Sequence, residues 1–282
     1  MENTGTKDSI TTIGITGSSG FIGSNLAAFL EKRGYRVIPL KRNFTPDQVK
    51  QCDVIVNLAG ASINRRWSKS AKKIILESRV NTTRRLTEMI NITSKTIHLI
   101  SASAIGIYSK SMVHTEESKD YDMGFLAEVC KQWEKQAMNI QSDNPLTIAR
   151  IALVLDYHGG VLPKIAIPAR MGFATIMGKG NQPVSWISLE DLINAIEYII
   201  INKIVGTVNL SSPEPTDNKR LTLFIRQRYK APFVIRIPSV IIKMFLGESA
   251  SIILKGERVI GQRLIDNGFS FAHRELGPNG FK

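Results

Sequence analysis

Residues 11–34 read TTIGITGSSGFIGSNLAAFLEKRG, and this stretch decides the fold. A short β-branched run ends directly in Gly17, Gly20 and Gly23, spaced G-x-x-G-x-x-G. Apolar residues then recur at helical spacing until Gly34 stops them. Strand, glycine loop and helix in this order begin a dinucleotide-binding unit. Gly17 and Gly20 let the backbone turn tightly and approach a pyrophosphate, and Gly23 lets the helix pack closely. The helix start offers free N–H groups and partial positive charge to that anion.

Working outward, YRVIPL (35–40) reads as the second strand and DVIVNLAG (53–60) as the next buried one. Only NFTPDQVKQC (43–52) lies between them, so the third strand of a full dinucleotide fold is expected to be missing or vestigial. The second strand ends in Leu40-Lys41-Arg42, where NAD sites usually carry an acid for the ribose 2′-hydroxyl. Two cations there suit a 2′-phosphate, which favours NADP(H) over NAD(H). A basic surface turn is the plainer alternative. Further on, a basic helix (68–92), TIHLISASA (96–104), FLAEVCKQWEKQAM (125–138), LTIARIALVL (146–155), LEDLINAIEYIIIN (189–202) and GTVNLSS (206–212) continue the alternation of strand and helix. The expectation is an α/β, Rossmann-type, doubly wound parallel sheet. Residues 1–155 and 186–212 are assigned to it, and 156–185 with 213–282 to a small, mostly helical C-terminal lobe.

Composition narrows the function classes. The 282 residues are 43% hydrophobic and 22% charged, with mean hydropathy near zero. The longest apolar runs, such as IEYIIIN and SVIIKMFLG, are too short to span a bilayer. MENTGTKDSITT lacks a basic region followed by an apolar one, and two cysteines suit a reducing compartment, so a cytoplasmic protein is expected. No Cys/His cluster has metal-site spacing. The net charge of +13 concentrates between Arg65 and Arg85. That run reads either as a solvated helix face or as attraction to an anion. No nucleic-acid module and no interleaved aromatics accompany it, which favours a small anionic ligand over nucleic acid. Arg65, Arg66, Lys72 and Arg79 are candidates to clamp an anionic substrate, since they follow the cofactor-binding strand directly.

From Gly17 onward the chain resembles the extended short-chain dehydrogenase/reductase superfamily. The segment NLAGASINRRWSKSAKKIILESRVNTTRRL (57–86) resembles the atypical family labelled NAD-dependent epimerase/dehydratase, or nucleoside-diphosphate-sugar epimerase. SASAIGIY (101–108), TEES (115–118), ARIALVLDYHGG (149–160), SWISLEDL (185–192) and the tail LKGERVIGQRLIDNGFSF (254–271) follow in the family's order. The resemblance implies that Gly17, Ser19, Gly20, Phe21, Ile22 and Gly23 hold the pyrophosphate and Lys41 with Arg42 the 2′-phosphate. It implies that Leu58, Ala59 and Gly60 line the adenosine side. Ser103, or less favourably Ser101, becomes the serine near the nicotinamide, and Arg150 precedes a loop approaching the same end. Two departures stand out: Ser188 where relatives often have histidine, and Gly261 where the tail usually has proline.

Typical members of the superfamily transfer a proton through the tyrosine of a Tyr-x-x-x-Lys pair, whose lysine holds the nicotinamide ribose. No tyrosine in this chain has a lysine four residues later. Glu134 matches the glutamate often found beyond that lysine, and this register puts Leu126 and Cys130 at the two positions. Leucine cannot move a proton. Cys130 reads either as a base or nucleophile, or as a small buried hydrophobe. Ser103, Tyr108 and Glu128 are the remaining polar candidates near the nicotinamide, while His98 and Trp186 read as structural. Two functions stay open: an NADP(H)-dependent oxidoreductase or epimerase-like enzyme with a non-standard proton donor, or a non-catalytic NADP(H)-sensing protein. A monomer or homodimer is expected.

Overall fold

The computed structural model describes residues 10–110, 112–277 and the backbone of 280–281. Residues 1–9, on which the expectation of no export segment rests, lie outside this range. Six strands form the central sheet: Thr12–Thr16 (β1), Arg36–Leu40 (β2), Val54–Asn57 (β3), His98–Ala104 (β4), Leu146–Ile151 (β5) and Gly206–Leu210 (β6). All pair in parallel, in the order β2-β1-β3-β4-β5-β6. Every residue of β1 and β3 is buried, as continuous apolar and β-branched runs must be when helices cover both faces.

Five helices do the covering. Phe21–Lys32 (α1) and Leu189–Asn202 (α5) share one face, where Ile13, Ile15, Leu26, Leu30, Leu192, Ile196 and Ile199 close the main core. Each such fully buried side chain stabilises the fold by about 1.5–3 kcal/mol. On the other face, Pro46–Lys50 (α2), Lys69–Asn91 (α3) and Phe125–Ala137 (α4) lie along the sheet. There Leu40, Phe44, Val49, Ile55, Leu86, Ile90 and Leu99 interlock.

The β2–β3 connection holds only the short helix α2. Thr45 starts it with a capping box: Gln48 N donates to Thr45 Oγ1 at 3.4 Å, and Thr45 N donates to Gln48 Oε1 at 3.0 Å. Pro46 occupies a first-turn position, where its missing N–H costs nothing. The third strand is therefore absent, and β2 is the edge of the sheet. The chain runs outward from β1 to β2 and returns across β1 to β3. That reversal opens a crevice above the carboxyl ends of β1 and β3.

A second cluster joins Leu155, Leu162, Ala166, Trp186, Leu221, Phe224 and Ile225. Beside it, Phe173–Met177 and Phe233–Ile237 form a parallel pair backed by the helix Asn218–Arg228. The tail then returns to the main body, where Arg258–Val259 pairs with Val113–His114. Ser188 begins α5 by accepting from Asp191 N at 2.9 Å. The Asp191 carboxylate accepts from Ala272 N and His273 N, at 2.7 and 3.0 Å, so SWISLEDL fastens the tail. At the other departure, a Cβ on Gly261 would stand 2.7 Å from the carbonyl oxygens of Asn209 and Ser211. No helix among the described residues is long and apolar enough to cross a membrane.

Candidate cofactor site

The crevice is lined first by backbone. Gly17 leaves β1 with φ +68°, a conformation side chains disfavour. A Cβ there would also stand 2.8 Å from Leu58 O, so the loop and the β3 exit meet backbone to backbone. Gly20 N donates to Gly17 O at 2.9 Å and closes the turn. Gly23 packs so tightly that a Cβ would sit 2.3 Å from the same oxygen. Gly20 precedes α1 with no side chain capping the first turn and no acidic residue within it. Ser19 and Gly20 are exposed, with Phe21 and Ile22 half-buried behind them. The result is a glycine-rich cradle of uncapped N–H donors at the positive end of a helix, which fits an anion such as pyrophosphate.

A buried chain of hydrogen bonds sets the floor. Thr16 Oγ1 accepts from Leu58 N and Ala59 N, at 3.1 and 3.2 Å, and donates to Asn57 Oδ1 at 2.7 Å. Asn57 Nδ2 donates to Thr83 Oγ1 at 2.8 Å and to Ser101 Oγ at 3.3 Å, and Trp133 Nε1 donates to Thr83 at 2.9 Å. Five elements are thereby locked around Leu58, Ala59 and exposed Gly60. Ser101 belongs to this floor. On the far side, Arg85 donates to the carbonyls of Arg42 and Phe44, at 2.9 and 2.6 Å, and pins the turn after β2. The Lys41 and Arg42 side chains stand exposed there, without a carboxylate partner among the described residues.

A second polar group lies where β4 and β5 meet α4. Arg150 grips Glu134 bidentately, Nε to Oε1 and Nη2 to Oε2, both at 2.8 Å. Ser103 Oγ donates to Glu134 Oε1 at 2.6 Å, Arg150 Nη1 to Tyr108 Oη at 2.8 Å, and Tyr108 to Asn209 Oδ1 at 2.9 Å. All five residues are buried. Burial opposes the Arg150 charge, but the bonds and charge of Glu134 outweigh it and raise its pKa; burial also raises that of Tyr108. Thus the structure brings Ser103, Tyr108 and Arg150 together, yet engages their polar atoms with one another. A buried guanidinium needs such a partner.

Cys130 is 3% exposed, with its thiol 3.7 Å from the Ala104 carbonyl oxygen. Burial, then the charge of Glu134, pushes the thiol up to about 11, which keeps it protonated at neutral pH. Leu126 joins an apolar group of Trp67, Ile75, Val129 and Ile252. Glu128 is exposed and bonded to Gln132. Of the basic candidates, Arg65 and Arg66 are exposed in the segment entering α3. Lys72 is paired with Glu248 at 2.6 Å and lies over the Phe125 ring. Arg79 is half-buried on α3 near Gly60. His98 is buried in β4 against Thr147, and Trp186 is fully buried.

One contact escaped the sequence reading. Phe21 lies under the loop after β5, where a Cβ on Gly159 would come within 2.2 Å of its ring and one on Gly160 within 2.7 Å. The signal was the paired glycine in DYHGG.

The profile of the NAD dependent epimerase/dehydratase family matches residues 13–211, and that of a domain of unknown function, DUF1731, matches residues 237–278. Epimerase family protein YfhF of Bacillus subtilis is 33% identical over 94% of this chain and 95% of its own length. The chloroplastic SDR39U1 homolog of Arabidopsis thaliana is 30% identical over 95% of this chain and 85% of its own. Among solved structures, human epimerase family protein SDR39U1 with NADPH aligns with a TM-score of 0.86 at 27% identity. It covers 95% of this chain and 97% of the human one. A nucleoside-diphosphate sugar epimerase from Corynebacterium glutamicum aligns at 0.78 and 28% identity, over 95% of this chain and 57% of that one.

Proposed function

The chain belongs to the NAD-dependent epimerase/dehydratase family, and from that premise we propose that it is an NADP(H)-dependent oxidoreductase or epimerase-like enzyme acting on a small anionic substrate. The observation that carries the cofactor half is the uncapped glycine cradle at the switch point, flanked by two exposed cations after β2 that pair with no carboxylate among the described residues. The backbone of Gly17–Gly23 would hold the pyrophosphate, and Arg42, helped by Lys41, the 2′-phosphate. Leu58–Gly60 would lie beside the dinucleotide, with Phe21 fixed by Gly159 and Gly160. A related human structure bound to NADPH supports this choice, although another fold relative, MoeE5, is seen with NAD. When bound, the cofactor supplies hydride transfer.

On the substrate side, Arg65 and Arg66 are exposed cations on the segment leaving the cofactor strand, suited to drawing in an anion. Leu126 and the protonated thiol of Cys130 leave the two positions of the usual pair with no group that gives up a proton readily at neutral pH. That observation favours the second reading, a non-catalytic NADP(H)-sensing protein. A panel of anionic carbonyl compounds and nucleotide sugars separates the two: turnover of NADPH with any of them supports the enzyme, and binding without turnover the sensor.

The cofactor assignment is tested by titrating NADPH and NADH against the wild type and Arg42→Ala. Loss of a charge-assisted bond should weaken NADPH roughly ten- to a hundredfold while NADH changes by less than about twofold. Equal losses for both would remove the 2′-phosphate assignment.

A further inference from the structure

The superfamily resemblance puts a lysine at the position that Cys130 occupies in α4. Another side chain brings a charge close enough to act on that thiol. Arg79 extends from α3, and its Nη1 donates to Ala61 O at 3.1 Å and Ile75 O at 3.0 Å. Its Nε and Nη2 have no acceptor among the described residues, and no carboxylate pairs with the guanidinium. The unused edge faces Gly60, where a Cβ would stand 3.0 Å from Nη2 and 3.2 Å from Nε. A side chain at the β3 exit would have to displace that edge.

The guanidinium also lies over the Trp133 ring, 5.3 Å from its centroid. Trp133 follows Cys130 by one turn on the same buried side of α4, and the Arg79 charge acts on the Cys130 thiol. Burial lowers the Arg79 pKa, yet an arginine remains protonated at neutral pH. The other nearby cations are engaged elsewhere: Lys72 with Glu248, and Lys131 with the Asp122 carbonyl at 3.0 Å. The Nε and Nη2 atoms are not enclosed, so an acceptor on a ligand can reach them. Arg150, by contrast, has Glu134.

We infer that Arg79 takes the place of the missing lysine, its Nε–Nη2 edge donating to oxygen atoms of the nicotinamide nucleotide on the β3–β4 side of the crevice. This rests on the NADP(H) reading. It gives the cradle a second anchor at the end opposite Arg42, supplied by α3 instead of α4. The side chain would orient the cofactor and carries no proton itself.

The test compares NADPH with 2′,5′-ADP, which keeps the adenosine phosphates and lacks the nicotinamide nucleotide. Both are titrated calorimetrically against the wild type, Arg79→Met and Arg79→Gln. Glutamine retains polar reach toward Ala61 and Ile75 should methionine fail to fold. The NADPH Kd should rise roughly ten- to a hundredfold in a folded variant while the 2′,5′-ADP Kd stays within about twofold. No NADPH-selective loss in either variant overturns the inference and leaves the cofactor reading intact. A wild type that binds neither ligand overturns both.

Discussion

Two polar regions sit on the same parallel sheet, one at the ends of β1, β2 and β3 and the other on β4, β5 and β6, and they differ in how their hydrogen bonds close. Around Gly17–Gly23 and Gly60 the donors are left open: an uncapped helix start, the exposed cations after β2 and the idle edge of Arg79. Around Glu134 the bonds close on themselves, through Ser103, Arg150, Tyr108 and Asn209. Both contain residue types that look functional. Open donors await a ligand, whereas closed ones hold strands to helices. The difference teaches that the residues with the most suggestive chemistry here are engaged with one another, whereas those with the least, glycines and a backbone turn, line the candidate site.

The largest effect should come from breaking the closed region. Arg150→Met leaves the Glu134 carboxylate buried without its partner, which costs about 3–5 kcal/mol of stability. Chemical denaturation would measure it. The protein that remains folded should keep its NADPH affinity within about twofold, since the donors of Arg150 are engaged by Glu134 and Tyr108. The double variant Arg150→Met with Glu134→Leu should recover part of the loss, because an apolar pair has no charge to strand. A large NADPH-specific loss in the single variant, with stability unchanged, would move Arg150 into the open region.

Next comes the converse substitution in the cradle. Gly20 has φ −78°, which any residue adopts, and a Cβ would stand 3.2 Å from Gly17 O, tight but open to small adjustment. Gly20→Val should therefore fold, with a stability change below about 1 kcal/mol. The branched side chain would occupy the approach to the first turn of α1 and weaken NADPH more than about tenfold, or ~1.4 kcal/mol. Retained affinity would place the pyrophosphate elsewhere. Together with Arg150→Met, this variant separates stability from binding in opposite directions.

Why one region was legible in the sequence and the other was not follows from how each is built. The cradle is local: seven consecutive residues, four between β1 and α1 and three opening the helix, fix its geometry. The missing third strand was equally local, since ten residues cannot hold a helix, a strand and a further helix. The register of α4 rested on Glu134 alone, and the structure explains that residue by its grip on Arg150. The closed region is assembled from β4, the turn after it, α4, β5 and β6, and no spacing in the chain announces it. Family order could bring Ser103 and Arg150 to the right strand ends without showing which atoms they face. Lys72 illustrates the same limit, since its partner Glu248 lies 176 residues away. So does Phe21, which is wedged against glycines that read only as family markers.

The smallest expected effect concerns Cys130, the residue on which catalysis and packing made competing claims. It sits between the regions, with its backbone in α4, Glu134 one turn on and the Arg79 charge nearby. A reactive thiolate would need its pKa brought down, yet burial and the Glu134 charge raise it to about 11. Cys130→Ala should leave NADPH affinity unchanged within about twofold and cost about 1 kcal/mol of stability through lost packing. The sign of its pH dependence is opposite to that of a thiolate site. With the folded pKa above the unfolded value near 9, the native protein holds the proton longer. The resulting stabilisation is complete below pH 9 and is lost as pH rises toward about 11. Denaturation midpoints at pH 8 and pH 10 should thus fall more steeply for the wild type than for Cys130→Ala. Rapid alkylation of Cys130 in the native protein at pH 7 would give the opposite answer and place the thiol among the open groups.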